Sequence, residues 1–100
     1  MLANDNHIMS FSKESAVERA KKDLAQRVGV AESEINASAS DADFPDMSLG
    51  APENGEMAAQ MISSGWRIDL SASGKNYEYR ADKYQLRLRG FNGTNYIIES

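Results

Sequence analysis

The chain contains no cysteine, one histidine and only two prolines. Without cysteine there is no disulfide, no thiol nucleophile and no thiolate metal site. The lone histidine, His7, stands near the start in a polar stretch. That leaves no basis for a Ser-His-Asp triad or a His-based metal centre. No apolar run approaches the roughly 20 residues of a membrane span. The N-terminus, Met1-Leu2-Ala3-Asn4-Asp5-Asn6-His7, lacks the basic and apolar regions of a signal peptide. The expectation is therefore no membrane span, and a cytoplasmic location by default. Export with the signal absent from this chain is the alternative. No glycine-rich phosphate loop is present, and acidic pairs such as Glu32/Glu34 carry surface spacing. With the usual catalytic sets missing, the expectation is no enzyme, no cofactor and no metal.

The length of 100 residues suits one domain that needs no covalent staples. Residues 1–11 read as a flexible leader and residues 12–100 as a single domain. The net charge of −4 disfavours nucleic acid as a partner. Its distribution is uneven. Residues 1–60 hold five Lys/Arg against eleven Asp/Glu, whereas residues 61–100 hold six against four. This reads as an acidic helix-and-loop half beside a mildly basic sheet face.

A helix is expected from Lys13 to Val28. Ser12 suits the N-cap, and Val17, Ala20, Leu24 and Val28 recur at three- and four-residue spacing. Ser15 is a poor third residue for a capping box, so none is expected. Gly29 stands where a left-handed C-terminal glycine belongs. Ile35, Ala37 and Ala39 alternate with Asn36, Ser38 and Ser40, a weak strand pattern of small side chains. After Gly55 the period becomes two. Met57, Ala59 and Met61 suggest a strand ending in a Ser63-Ser64-Gly65 turn. Trp66, Ile68, Leu70 and Ala72 then alternate with polar residues. So do Tyr77, Tyr79 and Ala81, and Tyr84, Leu86 and Leu88, which makes the tyrosines core-facing. The parity slips at Asp82-Lys83, where a tight turn or bulge belongs. Asn92-Gly93 is a hairpin signal before a last edge strand around Tyr96, Ile97 and Ile98. The fold class is α+β, one N-terminal helix packed on an antiparallel β-meander of four to five strands.

The segment Phe44-Pro45-Asp46-Met47-Ser48-Leu49-Gly50-Ala51-Pro52-Glu53-Asn54-Gly55 carries both prolines and no periodicity. Irregular connections of this length are uncommon in a compact domain unless they bind something. Two roles fit it. In one, Phe44 and Leu49 plug into the core while the prolines stiffen the path. In the other, a rigid loop presents Met47, Ser48 and Leu49 to a partner, helped by Ser63 and Ser64 of the following turn. Asp41, Asp43 and Asp46 do not have the spacing of a calcium loop. Gln60-Met61-Ile62-Ser63-Ser64-Gly65 comes near the cystatin Gln-x-Val-x-Gly hairpin, one residue too long.

Leu24-Ala25-Gln26-Arg27-Val28-Gly29-Val30, Glu34-Ile35, the loop Phe44–Gly55, Gly65-Trp66-Arg67-Ile68 and Tyr77-x-Tyr79 together resemble a small bacterial domain family without settled function. In that family the loop usually reads Trp-Pro-Asp-x-Ser-Leu-Gly-Cys-Pro. Here Phe44 and Ala51 stand at its aromatic and cysteine positions, and Trp66 stands where a Tyr is usual. The similarity spans roughly residues 16–82, and it implies secretion or lipid anchoring for many members. The helix-on-sheet plan also resembles PepSY and cystatin-like domains, which implies a role in protease inhibition or regulation.

The leading expectation is a non-enzymatic protein-binding module, inhibitor-like or regulatory, that presents loop 44–55. The partner is another protein, and the domain is expected to be a monomer. The alternative is a small-molecule or anion-binding domain that uses Arg80, Arg87 and Arg89 on the polar strand face.

Overall fold

The computed structural model describes residues 10–100. The proposed leader therefore lies outside the described residues, except for Ser10 and Phe11. Phe11 packs with the domain. Its side chain is buried in the core, and its N–H donates to the Lys83 carbonyl at 2.7 Å.

Helix α1 spans Lys13–Val28. The Ser15 N–H donates to Ser12 Oγ at 3.1 Å, and the Ser12 N–H donates to Ser15 Oγ at 2.9 Å. A reciprocal capping box is thus present where none was expected. A serine hydroxyl at the third position reaches the cap as the usual Glu or Gln carbonyl does. Gly29 closes the helix at φ 75°, its N–H donating to the Ala25 carbonyl. The buried stripe is Ala16, Ala20 and Leu24, with Val17, Ala25 and Val28 at its margins. The alanines let the helix axis lie close to the sheet.

A 3₁₀ turn at Glu32–Glu34 leads into five strands: β1 (Asn36–Phe44), β2 (Ser63–Ala72), β3 (Lys75–Ala81), β4 (Leu86–Phe91) and β5 (Thr94–Glu99). They form one antiparallel sheet in sequence order, so β1 and β5 are its edges. The α+β meander expected from the sequence is what the chain adopts. Two of its links are tight hairpins. Ser73 and Gly74, and Asn92 and Gly93, have consecutive positive φ values of 52° and 78°, and of 52° and 81°. That is the backbone of a turn whose twist matches the strands. The expected parity slip is a turn at Asp82, whose Oδ1 accepts from the N–H groups of Tyr84 and Gln85.

Three local expectations fail. No strand forms at Met57–Met61. Ser63–Gly65 is not a turn, because those residues open β2 and pair with Ala42–Phe44. Tyr84 is exposed at the Asp82 turn and is no core residue. The first two share a reason, and Tyr84 is turned out by the Asp82 turn itself. A nine-residue ladder between β1 and β2 overrides the turn-like local composition, and its length pushes residues 45–62 out as one long connection.

The core under the helix contains Leu24, Ile35, Ile68, Leu70, Tyr79, Leu86 and Leu88. Buried Tyr79 Oη donates to Asp23 Oδ2 at 2.7 Å, and Asp23 also accepts from Arg27. Burial, followed by that carboxylate, pushes the Tyr79 phenol far above its ordinary value. The Arg27 guanidinium lies over the rings of Phe91 and Tyr96, at 5.4 and 4.8 Å from their centroids. No described helix is long and apolar enough to cross a membrane.

Candidate functional site

The long connection is folded back onto the sheet face opposite the helix. Its first turn is built by Asp46. The Asp46 Oδ1 accepts from Ser48 N–H at 2.9 Å, Ser48 Oγ at 2.6 Å and Gly50 N–H at 3.2 Å. The Ser48 hydroxyl first, then the Gly50 N–H, holds this carboxyl below its ordinary range. Leu49 and Gly50 then both turn left-handed, at φ 59° and 65°. For a bulky residue such as Leu49 that conformation costs about 1–3 kcal/mol. It is held because the Leu49 side chain is fully buried.

The sheet grips the loop through alternate carbonyls. Gln85 Nε2 donates to the Met47 carbonyl at 2.7 Å, Arg80 Nη1 to that of Leu49 at 2.9 Å, and Arg87 Nη1 to that of Ala51 at 3.1 Å. Gln85 Oε1 in turn accepts from Arg87 Nε. Arg87 is only 3% exposed, and its guanidinium meets Glu56 in a two-pronged pair at 2.6 and 2.7 Å. That contact pulls the Glu56 carboxyl down to about 2. The far end of the loop is fastened to β5, where Glu53 Oε2 accepts from Ile97 N–H and the Pro52 carbonyl accepts from Asn95 Nδ2. Phe44, Ser48, Leu49 and Ala51 are thereby buried outside the helix-side core.

This geometry relocates the residues singled out in the sequence. Ser48 and Leu49 are fully buried and so are not presented to a partner. Ser63 is buried as well, its hydroxyl donating to Asp82 Oδ2 at 2.7 Å. Ser64 is exposed and donates to Asp43. Met47 alone of the loop trio reaches solvent. The three arginines are not brought together as an anion cradle. Arg87 is sealed under the loop with its own carboxylate. Arg80 contacts Glu78 at 2.7 Å and stacks on the Phe44 ring at 5.3 Å, and Arg89 faces the same Glu78 at 3.5 Å. Arg87 thus has a carboxylate of its own, whereas Arg80 and Arg89 share the single carboxylate of Glu78.

What does reach solvent is the return arm of the loop. Among the described residues, the exposed large apolar side chains are Met57 (96%), Ile62 (74%), Tyr84 (70%), Met61 (63%) and Met47 (38%). Three lie within residues 57–62. Met47 is tied to that arm by its N–H, which donates to the Ala59 carbonyl at 3.0 Å. Tyr84 follows Asp82, which holds the Ser63 hydroxyl at the end of the arm. The sequence assigned Met57 and Met61 to a strand face and Tyr84 to the core. Their signal was an apolar run with no partner strand of matching length. Glu56 left no local signal at all, because its partner stands 31 residues away.

Among the described residues, no group of three or more His, Asp or Glu side chains is placed to hold a metal ion. A family model described as a domain of unknown function, DUF8738, matches residues 17–89. The chain belongs to this family. The match runs from α1 into β4 and includes the whole loop. No curated protein and no solved structure matches the chain.

Proposed function

We propose that the domain is a non-enzymatic protein-binding module, and that its contact surface is the return arm of the loop. The observation that supports this reading is the exposure of Met57, Met61 and Ile62 on a segment whose two ends are locked. Glu56 is fixed by Arg87 on one side, and Ser63 is fixed by Asp82 on the other. An exposed apolar segment anchored at both ends is a feature of protein interaction sites. Methionine side chains adapt their shape to a partner at low cost. The occupant that fits is an apolar segment of another protein. An inhibitor-like or regulatory role is the concrete form, in keeping with the resemblance of the helix-on-sheet plan to PepSY and cystatin-like domains.

Loop 44–51 then serves as the wedge that holds the arm in place, and Met47 is its one contact residue. The test is photo-crosslinking from residue 61 in the producing cell, with Lys22 on the helix as the control position. A discrete partner crosslinked from residue 61 and absent from the control supports the reading, provided that Met57→Ser/Ile62→Ser in the same chain removes it. A partner equally captured from both positions, or retained by the double variant, refutes it.

A further inference from the structure

The two edges of the sheet are treated differently. At β5 the edge is blunted. Ile97 N–H is taken by Glu53, Asn95 holds the Pro52 carbonyl, and the pairing with β4 carries register irregularities. Those are devices that keep a strand from adding on. At β1 none of them is present. Its nine residues pair with β2 in unbroken register, and Asn36–Phe44 holds no Lys, Arg or Pro. Among the described residues, no hydrogen bond from beyond the β1–β2 ladder reaches its backbone. Its side chains are mostly Ala and Ser, which leave the outer rim unobstructed.

Beside this rim, on the helix side of the sheet, lies an open hollow of about 410 Å³ whose walls include Asp41, Asp43, Ser64, Trp66 and Lys83. Trp66 lies opposite Asp41 in the ladder, and Ser64 lies opposite Asp43. Asp41 meets Lys13 at 3.3 Å. Asp43 accepts from the Ser64 hydroxyl and is ion-paired with no described residue. A carboxylate in no described ion pair, beside an indole ring and near the end of an open strand edge, is suited to a lysine or arginine side chain.

We propose that β1 accepts an extended peptide segment of another protein as a sixth strand, with a Lys or Arg of that segment seated against Asp43 and Trp66. Main-chain hydrogen bonds to the rim supply affinity, and the hollow supplies the preference for a basic side chain. Lys13 is taken by Asp41, and Lys83 lines the same hollow, so the incoming cation shares Asp43 with Lys83. A second copy of this chain fits less well, since β1 brings only aspartates as its charged residues. The surface is separate from the Met57–Ile62 arm, and the inference stands whether or not that arm binds a partner.

The test uses a nine-residue Val/Thr peptide with one Lys at its second position, to stand opposite Asp43 in an antiparallel pairing, its Glu counterpart at that position, and the Lys peptide with alternate backbone nitrogens methylated. Each is titrated into the ¹⁵N-labelled protein. The expected result is slowed amide exchange confined to alternate residues of 36–44 with the Lys peptide, and none with the methylated one. Asp43→Asn, which still accepts from Ser64, weakens the Lys peptide about threefold to fivefold and leaves the fold unchanged. Shifts elsewhere in the protein, no binding of any peptide, or equal binding of the Lys and Glu peptides overturn the proposal. Concentration-dependent protection of residues 36–44 without peptide also overturns it, by showing that a second copy is the occupant.

Discussion

Arg87 and Glu56 carry the strongest residue-scale consequence of this structure. A guanidinium sealed beneath the loop depends on its one carboxylate. Glu56→Gln should therefore destabilise the domain by about 2–3 kcal/mol in urea unfolding, somewhat below the range for a fully buried pair because Glu56 is partly exposed. The same pair sets an acid response. The Glu56 carboxyl is held down at about 2, below its unfolded value of 4.5. Its contribution is complete above the unfolded value and is lost as pH falls from about 4.5 toward 2. Unfolding curves recorded through that window should slope less steeply for Glu56→Gln than for the parent chain. Leu49→Ala leaves the strained backbone in place and removes the side chain that holds it. A loss of about 2–4 kcal/mol in the same measurement is expected.

At the scale of elements, legibility followed the range of the interactions. The helix could be read end to end because Ser12, the apolar stripe and Gly29 act within a few residues of one another. The hairpins at Ser73-Gly74 and Asn92-Gly93 were legible for the same reason. Ser63–Gly65 was misread because its composition is that of a turn, whereas its role is set by a strand nine residues long. Gly65 shows what the glycine is for. A Cβ there would overlap the Ala81 carbonyl oxygen of the neighbouring strand. Gly65→Ala should therefore part β2 from β3 at this end, and the amide protons of residues 65 and 81 should exchange faster than in the parent. The polar strand face was legible only in part. Period two correctly placed Arg80, Arg87 and Arg89 away from the helix, but alternation says only which face a side chain takes. Whether that face meets water depends on a loop 31 or more residues distant, and no local pattern encodes such a contact.

For the whole molecule, the consequence is a sheet with a different cover on each side. The helix covers one face with apolar side chains. The loop covers part of the other with carbonyl groups gripped by Gln85, Arg80 and Arg87. Protection from hydrogen exchange should divide along the same lines. The amides of Ser48 and Gly50, bonded to Asp46, should exchange slowly, and those of residues 57–62 quickly. Uniform fast exchange across 46–62 would mean that the cover is loose, and the binding surface proposed for the return arm would lose its rigid support.

The unbroken ladder between β1 and β2 has a further consequence. The only covalent link between these strands is the loop, and the part of it most open to a protease is Met57–Ile62. A single cut there would leave nine cross-strand pairs, the Arg87–Glu56 contact between the two pieces and the helix core intact. The two pieces should remain one particle through gel filtration and separate only in denaturant. Expressed as two genes divided between Gln60 and Met61, they should reassemble, making the domain a natural split reporter.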